Sequence, residues 1–402
     1  MRKTAYEILE KVLLQEEHSH LLLRDLKLSP QDQAFVSALV YTVLQNKLYL
    51  SYQFEAMVDD NLPEEVKIVL LMGVAQYLKM DKIPEHALVN ESVELVKQIG
   101  KPRYHGVVNA VLKKVIKQKE RALPEDEIKK ASLVYSMPEW ILRLLKAQYD
   151  TEFAIEYAAY CQKIKPNYVR VNPHKNCPEL AEHMTISDDK IIAKSSLFQT
   201  DLLAKGCVII QDINSQNVVK ALDLKADMDV LDCCCGPGTK TTQIADALAG
   251  TGSILGIELH ESRVKTTQEL LKRWGVNNAQ IIQSDVLDFE SKHRFDRILI
   301  DAPCSGLGVL SHKADLRYNI KPESLDELEA LQAQILEHVS QFVKKSGIMV
   351  YATCTLNKKE NEKQVAKFLK NHPEFTCVYE HTDNPQKTQG DGFYIAKLVR
   401  TC

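Results

Sequence analysis

Several features that would place a chain in a simple functional class are missing here. Ten cysteines in 402 residues, none in a Cys-x-x-Cys pair, fall well below the density of a disulfide scaffold and offer no zinc-type spacing. Reduced thiols, most of them in the core, are therefore expected. No apolar run approaches the ~20 residues that a membrane span needs. The segment from Met1 to Leu14 interrupts its apolar residues with charges at helical spacing, which reads as an amphipathic helix and not a secretory signal. A cytoplasmic protein without a membrane partner is the expectation. A formal net charge of -3 excludes a globally basic protein, so any nucleic-acid surface must be local. Neither G-x-G-x-x-G nor a Walker loop occurs, which argues against dinucleotide and polyphosphate cofactors.

What is present is ordinary in bulk and informative in detail. Hydrophobic residues make up 45% and charged residues 26% of the chain, as in a globular protein. The length exceeds what one core usually organises. From residue 1 to about 125 the apolar spacing is helical. Ile8, Leu9, Val12 and Leu13 share one face, Ser29-Pro30 with Asp32 marks a helix start, and Val66, Val69, Leu70, Val74 and Tyr77 form a later stripe. Residues 97 to 121 hold eight cations, Lys97, Lys101, Arg103, Lys113, Lys114, Lys117, Lys119 and Arg121, against the single acid Glu120. Such a face suits phosphates, because each neutralised phosphate releases counterions; a solvated helix surface is the alternative reading.

Leu123-Pro124 opens a linker, and Ser136-Met137-Pro138-Glu139 begins another helix. Residues 126–218 read as a connector, helical first and then a small α+β subdomain with strand-like runs at Tyr168 to Val171 and Cys207 to Ile210. From 219 to 402 strands and helices alternate. Strand-like runs at 230–231, 254–257, 280–282, 298–300 and 348–351 predict a doubly wound, mostly parallel sheet.

Three loops of that sheet carry chemistry. In Leu231-Asp232-Cys233-Cys234-Cys235-Gly236-Pro237-Gly238-Thr239-Lys240 the glycines fall where the first strand should turn into a helix. Ligands of open α/β sheets bind at such carboxyl ends. Pro237 removes a backbone donor, so the loop favours an adenosine cofactor without a polyphosphate. Glu258, 22 residues beyond Gly236, suits a ribose. Asp285 suits an adenine amine or, equally, a turn cap. Asp301 follows a buried run at a strand end, where catalytic groups collect. Lys240 reads as a loop and helix-start residue. Cys304, in Asp301-Ala302-Pro303-Cys304-Ser305-Gly306, and Cys354, in Tyr351-Ala352-Thr353-Cys354-Thr355, follow two such runs. A single cysteine of this kind is usually inert packing. Two beside one cofactor crevice suggest attack on an unreactive carbon, because a thiolate is both a strong nucleophile and a workable leaving group. Carbon 5 of a pyrimidine becomes nucleophilic once a thiolate has added to carbon 6. No metal site is read.

These loops, together with Phe295 to Gly308, Glu360-Asn-Glu362, Gln211-Asp212, Ser215-Gln216 and Asp391-Gly392-Phe393-Tyr394, resemble the motifs of the RsmB/Sun family of bacterial 16S ribosomal RNA cytosine-5 methyltransferases. The likeness covers nearly the whole chain. It implies S-adenosyl-L-methionine as cofactor and a class I Rossmann-like domain over 219–402 with a seven-stranded sheet. The all-helical region over 1–125 is similar to a NusB-like RNA-binding domain. Carried over, the pattern makes Cys354 the nucleophile and Cys304 the residue assisting product release, with Asp301 near the methionine and target base as base or cofactor-positioning group. Cys234, Cys235, Gly236, Pro237, Gly238, Thr239 and Lys240 surround the methionine and ribose end, Glu258 meets the ribose, and Asp285 meets the adenine. Lys97, Lys101, Arg103, Lys113, Lys114 and Lys117 are the candidate RNA contacts, and a monomer is the default. DNA methyltransferases would instead use Cys304 for attack; the presence of both thiols favours RNA. Transfer RNA as substrate, or a non-catalytic RNA-binding assembly factor, are the alternatives. The chain departs from the pattern at Gly236 and Thr239, where Ala and Gly are more usual. It departs again at Ser311-His312-Lys313, where an Arg-rich stretch is usual. A positive φ at Thr239 would crowd the cofactor.

Overall fold

The computed structural model describes every residue except Asp25, Asp81, Lys82, Asp189 and Cys402. The chain packs as two units, Met1–Lys163 with Leu310–Lys321, and Ile164–Val309 with Pro322–Cys402.

The first unit is helical: α1 (Arg2–Leu14), α2 (Ser19–Arg24), α3 (Pro30–Phe54), α4 (Glu64–Leu78), α5 (Glu85–Gln98), α6 (His105–Gln118), α7 (Glu127–Val134), α8 (Glu139–Gln148) and α9 (Thr151–Tyr160). Local chemistry sets the helix starts. Pro30 occupies the first turn of α3 while the Ser29 hydroxyl accepts from Asp32 N, and Asp126 and Asp150 cap α7 and α9 through Lys129 N and Phe153 N. Helix α4 is buried at every residue from Ile68 to Gln76, as a helix apolar on all sides must be. It is the axis about which α1, α3, α5 and α6 pack. Gly73 permits the close approach of α6, since a Cβ there would stand 2.7 Å from Leu112 Cδ2.

The second unit holds two sheets. The smaller comprises β1 (Asn167–Val171), β2 (Met184–Ser187), β3 (Lys190–Ala193) and β4 (Val208–Ile210), antiparallel in the order β2-β3-β1-β4. After α10 (Ile213–Lys220) strands and helices alternate along the chain. These are β5 (Asp229–Asp232), α11 (Thr239–Ala247), β6 (Ser253–Glu258), α12 (Glu261–Trp274), β7 (Ala279–Gln283), β8 (Phe295–Asp301), α13 (Leu316–Asn319), α14 (Ser324–Ser340), β9 (Val343–Thr353), α15 (Glu362–Asn371), β10 (Phe375–Thr382), α16 (Pro385–Thr388) and β11 (Tyr394–Arg400). The sheet order is β10-β11-β9-β8-β5-β6-β7. The strands from β9 to β7 are parallel, whereas β11 pairs antiparallel with both β9 and β10. The mostly parallel sheet expected from the alternation is present, with the seven strands that the family resemblance implied, and its order reverses between β5 and β8, where open sheets hold their ligands.

Packing groups the elements differently from the sequence divisions at 125 and 218: α7 packs with α3, and α8 and α9 with α7, whereas the small sheet belongs to the second unit. Helix α13 belongs to the first unit even though its sequence lies inside the methyltransferase-like region. Arg317 there is buried and donates to the carbonyls of Tyr135, Ser136, Cys161 and Leu310, while Tyr318 Oη donates to those of Leu44 and Ser136. Finally, the thiols are not uniformly reduced, since Cys177 and Cys207 form a disulfide across 30 residues. A search for short cysteine spacings cannot see such a pair. The turn before Pro178 and the start of β4 bring the two together.

Candidate active site

Parallel register assembles the site. Asp301 pairs with Ala352 across β8 and β9, and Ala302 N donates to Ala352 O at 2.9 Å. Cys304, three residues past the pair, and Cys354, two residues past it, therefore emerge at the same edge. Their sulfurs lie 3.3 Å apart, within S–H···S hydrogen-bond reach, and neither is in a disulfide. A third loop closes against them: Gly308 N donates to Cys354 O at 2.9 Å and Gly392 N to Gly308 O at 2.8 Å. A Cβ on Gly308 would stand 2.0 Å from Gly392 O, so only glycine permits this approach.

The adjacent switch-point loop leads from β5 into α11. The positive φ falls on Gly238, at 100°, and not on Thr239, which begins the helix. The departure at Thr239 is thus harmless to the backbone. At Gly236 a Cβ would stand 2.3 Å from Glu258 Oε2. Without one, Gly236 N donates to that oxygen at 3.1 Å, and His260 N donates to Glu258 Oε1 at 2.9 Å. Each carboxylate oxygen is thereby oriented yet retains lone-pair capacity for ribose hydroxyls. Asp285 Oδ1 caps the turn after β7 by accepting from Leu287 N at 2.9 Å. The turn-cap reading is realised.

Electrostatics divide the loop residues. Burial pushes the Cys233, Cys234 and Cys235 thiols up, and for Cys234 the carboxylates of Asp301, Asp232, Glu258 and Asp285 add to it. These three are poor nucleophiles, and the four acids lie close enough to Cys234 to act on it. Asp232, at the end of β5, is buried and accepts from Thr241 Oγ1 at 2.8 Å. Its Oδ1 has no hydrogen-bond partner among the described residues, and desolvation raises its pKa to about 7. An unsatisfied buried acceptor beside a glycine cradle and a ribose-type glutamate suits an adenosine carrying an amino-acid ammonium.

Lys240, expected only as a cofactor-loop and helix-start residue, also pairs with Asp301. From the first turn of α11 its Nζ donates to Asp301 Oδ2 at 2.6 Å and lies 5.2 Å above the Phe393 ring. Burial opposes its charge, but Asp301 outweighs burial and Cys354 and Asp232 assist, so its pKa is raised and the ammonium is retained. Cys304 is pushed well above the usual thiol range, first by its hydrogen bond to Cys354, then by burial and by the charges of Cys354 and Glu360. Glu360, quoted above only as part of a motif, had no assigned role. It is fully buried and bonded to residues beside both cysteines.

The candidate RNA residues belong to the helical unit and are not equivalent. Lys97 pairs with Glu94, Lys101 pairs with Glu65, and Arg103 lies over the Tyr104 ring. Lys113, Lys114 and Lys117 stand exposed along α6. Among the described residues no helix is long and apolar enough to cross a membrane, and no cluster of metal-ligating side chains occurs.

Residues 219–399 match the family model "16S rRNA methyltransferase RsmB/F", and residues 1–117 match the "NusB family". The probable ribosomal RNA small subunit methyltransferase B of Bacillus subtilis (strain 168) is 33% identical over 93% of this chain and 89% of its own length. Among solved structures, PH0851 superposes with a TM-score of 0.84 at 22% identity, covering 98% of each chain. NSun6 from Pyrococcus horikoshii, solved with the S-adenosylmethionine analogue SFG, gives a TM-score of 0.61 at 19% identity over 66% of this chain and 98% of that one. These two show the fold. The chain therefore belongs to the ribosomal RNA small subunit methyltransferase B family, S-adenosylmethionine-dependent methyltransferases in which a NusB domain precedes a Rossmann-like catalytic domain.

Proposed function

We propose that the protein methylates carbon 5 of a cytosine in small-subunit ribosomal RNA, with Cys354 adding to carbon 6. The observation that carries this reading is the 3.3 Å approach of Cys304 and Cys354 at the ends of adjacent parallel strands. The cofactor, when bound, supplies an electrophilic methyl group. Asp232, Glu258, Asp285 and the loop from Cys234 to Lys240 would hold it. The RNA substrate rests on the names of the family model and the Bacillus subtilis relative.

The chain's own groups divide the work. Cys304, whose raised pKa keeps its proton, donates to Cys354 and leaves it the thiol that attacks. The Lys240 ammonium, whose proton is held partly by Cys354's charge, attracts the thiolate in return. As sulfur adds to carbon 6, negative charge spreads over the ring toward N3 and O2. The Asp301–Lys240 pair lies at the strand end where a donor to those atoms is needed, with the ammonium donating and Asp301 orienting it. Once carbon 5 is methylated, its proton must leave. The carbon 5–hydrogen electron pair then becomes the carbon 5–carbon 6 double bond as the carbon–sulfur bond breaks, its own pair leaving with sulfur as thiolate. Cys304 stands within reach of that sulfur and assists its release. The base that takes the carbon 5 proton is Asp301 or a water it orients.

The test is transfer of labelled methyl from S-adenosylmethionine to unmodified small-subunit RNA by the wild type, Cys354→Ala and Cys304→Ala, with trapped protein–RNA adducts read on a denaturing gel. Loss of transfer in Cys354→Ala with adduct accumulation in Cys304→Ala is expected. The reversed pattern would move the nucleophile to Cys304, and transfer to transfer RNA alone would change the substrate. A wild type that binds RNA but transfers nothing would favour an assembly factor.

A further inference from the structure

The two cysteine loops are tied together one residue beyond each thiol. Ser305, next to Cys304, presents its N–H to Glu360 Oε2 at 2.8 Å and its hydroxyl to Glu360 Oε1 at 2.5 Å. Thr355, next to Cys354, meets Ser305 Oγ at 2.7 Å and Glu360 Oε1 at 3.4 Å. Asn357 Nδ2 donates to Oε1 at 3.0 Å. From α14, Gln332 Nε2 donates to Oε2 at 3.0 Å and to Pro303 O at 2.9 Å, on the other side of Cys304. Ser305, Gln332, Thr355, Asn357 and Glu360 are all at most 2% exposed. Five donors thus converge on two carboxylate oxygens in a buried site.

We propose that Glu360 is a positioning residue that locks the Cys304 loop to the Cys354 loop and so sets the separation at which the two thiols exchange a proton. A carboxylate suits this role because it only accepts. An amide in its place must turn an N–H toward either Ser305 N–H and Gln332 or Ser305 Oγ and Asn357. One side of the lock then becomes donor against donor, and in a buried site that mismatch forces the loops apart. The inference rests on the proposed joint action of the two thiols. Its test is nevertheless independent of turnover.

Phenylarsine oxide condenses with two adjacent thiols: two arsenic–sulfur bonds form, and the oxygen leaves as water with both thiol protons. Titrated without RNA and mapped by mass spectrometry, the wild type should capture one arsenical across Cys304 and Cys354, and Cys304→Ala should abolish it. In Glu360→Gln the affinity of that capture should fall at least about tenfold while S-adenosylmethionine binding stays within about twofold. Methyl transfer should lose kcat with the KM for RNA unchanged. Ser305→Ala, which keeps the peptide N–H, should shift both readouts the same way by less, and it decides the matter should Glu360→Gln not fold. Wild-type capture and kcat in the folded variants would overturn the proposal, as would failure of the wild type to capture, or loss of capture and cofactor binding in parallel. An inactive wild type whose capture still depends on Glu360 would sink the proposed function and leave the lock standing.

Discussion

Asp232 shows how a single buried acid links the cofactor pocket to stability. Its pKa is raised to about 7 from 3.8 by burial, with one oxygen unpartnered. Below pH 3.8 both folded and unfolded chains hold the proton. Between that value and about 7 the unfolded chain releases it and the folded chain does not, so the folded state loses relative stability as pH rises through this window. Asp232→Asn removes the titration. The melting temperature of the cofactor-free variant, minus that of the wild type, should therefore grow by at least about 2 °C from pH 4.5 to pH 7.5. A difference that does not change with pH would assign this part of the stability curve elsewhere. The other residue-scale lesson concerns Lys240. Its sequence position two residues after Gly238 reads as a helix start, which it is. Its ion pair with Asp301, from a strand 61 residues later, is invisible to local spacing.

Among elements, α13 and the segment around it are the least expected. Residues 310–321 interrupt the catalytic unit in sequence yet complete the helical one, with Ala314 in its core and Asp315 Oδ2 accepting from Ser19 N at 3.1 Å. Arg317 is the anchor, since one guanidinium serves four carbonyls. Removing it strands those acceptors in the interior. Arg317→Ala should destabilise the protein by roughly 3 kcal/mol, and Arg317→Lys should rescue little, because an ammonium lacks the planar fork. Chemical denaturation measures both, and a loss below about 1 kcal/mol for the alanine variant would contradict the anchoring role. The parallel strands were legible because each is a short apolar run between helical stretches. β10 and β11 were not: Phe375 to Thr382 exposes most of its side chains, so burial does not mark it as a strand. It is held as an edge by pairing with β11.

Taken as a whole, the molecule carries its candidate RNA surface and its chemistry on separate units. The exposed stripe of Lys113, Lys114 and Lys117 is the α6 part of the basic segment, in which Lys97, Lys101 and Arg121 are paired with the acids Glu94, Glu65 and Glu55. Changing all three to Gln should weaken RNA binding and reduce the slope of log affinity against log salt by about 2, given ~0.7 per single-strand phosphate. An unchanged slope in a filter-binding titration would remove α6 from the interface. From its sequence alone the chain determined the helical region, the alternating sheet, the glycine-rich cofactor loop and two cysteines at strand ends, because periodicity, turn chemistry and strand-end placement are local properties. Tertiary structure alone decided that helices up to Tyr160 and the segment 310–321 form one body, that Cys177 meets Cys207, and that Lys240 faces Asp301. It also decided that Glu360 binds both cysteine loops. These pairings span 30 or more residues or depend on the register of parallel strands, and neither is written in the spacing of neighbouring side chains.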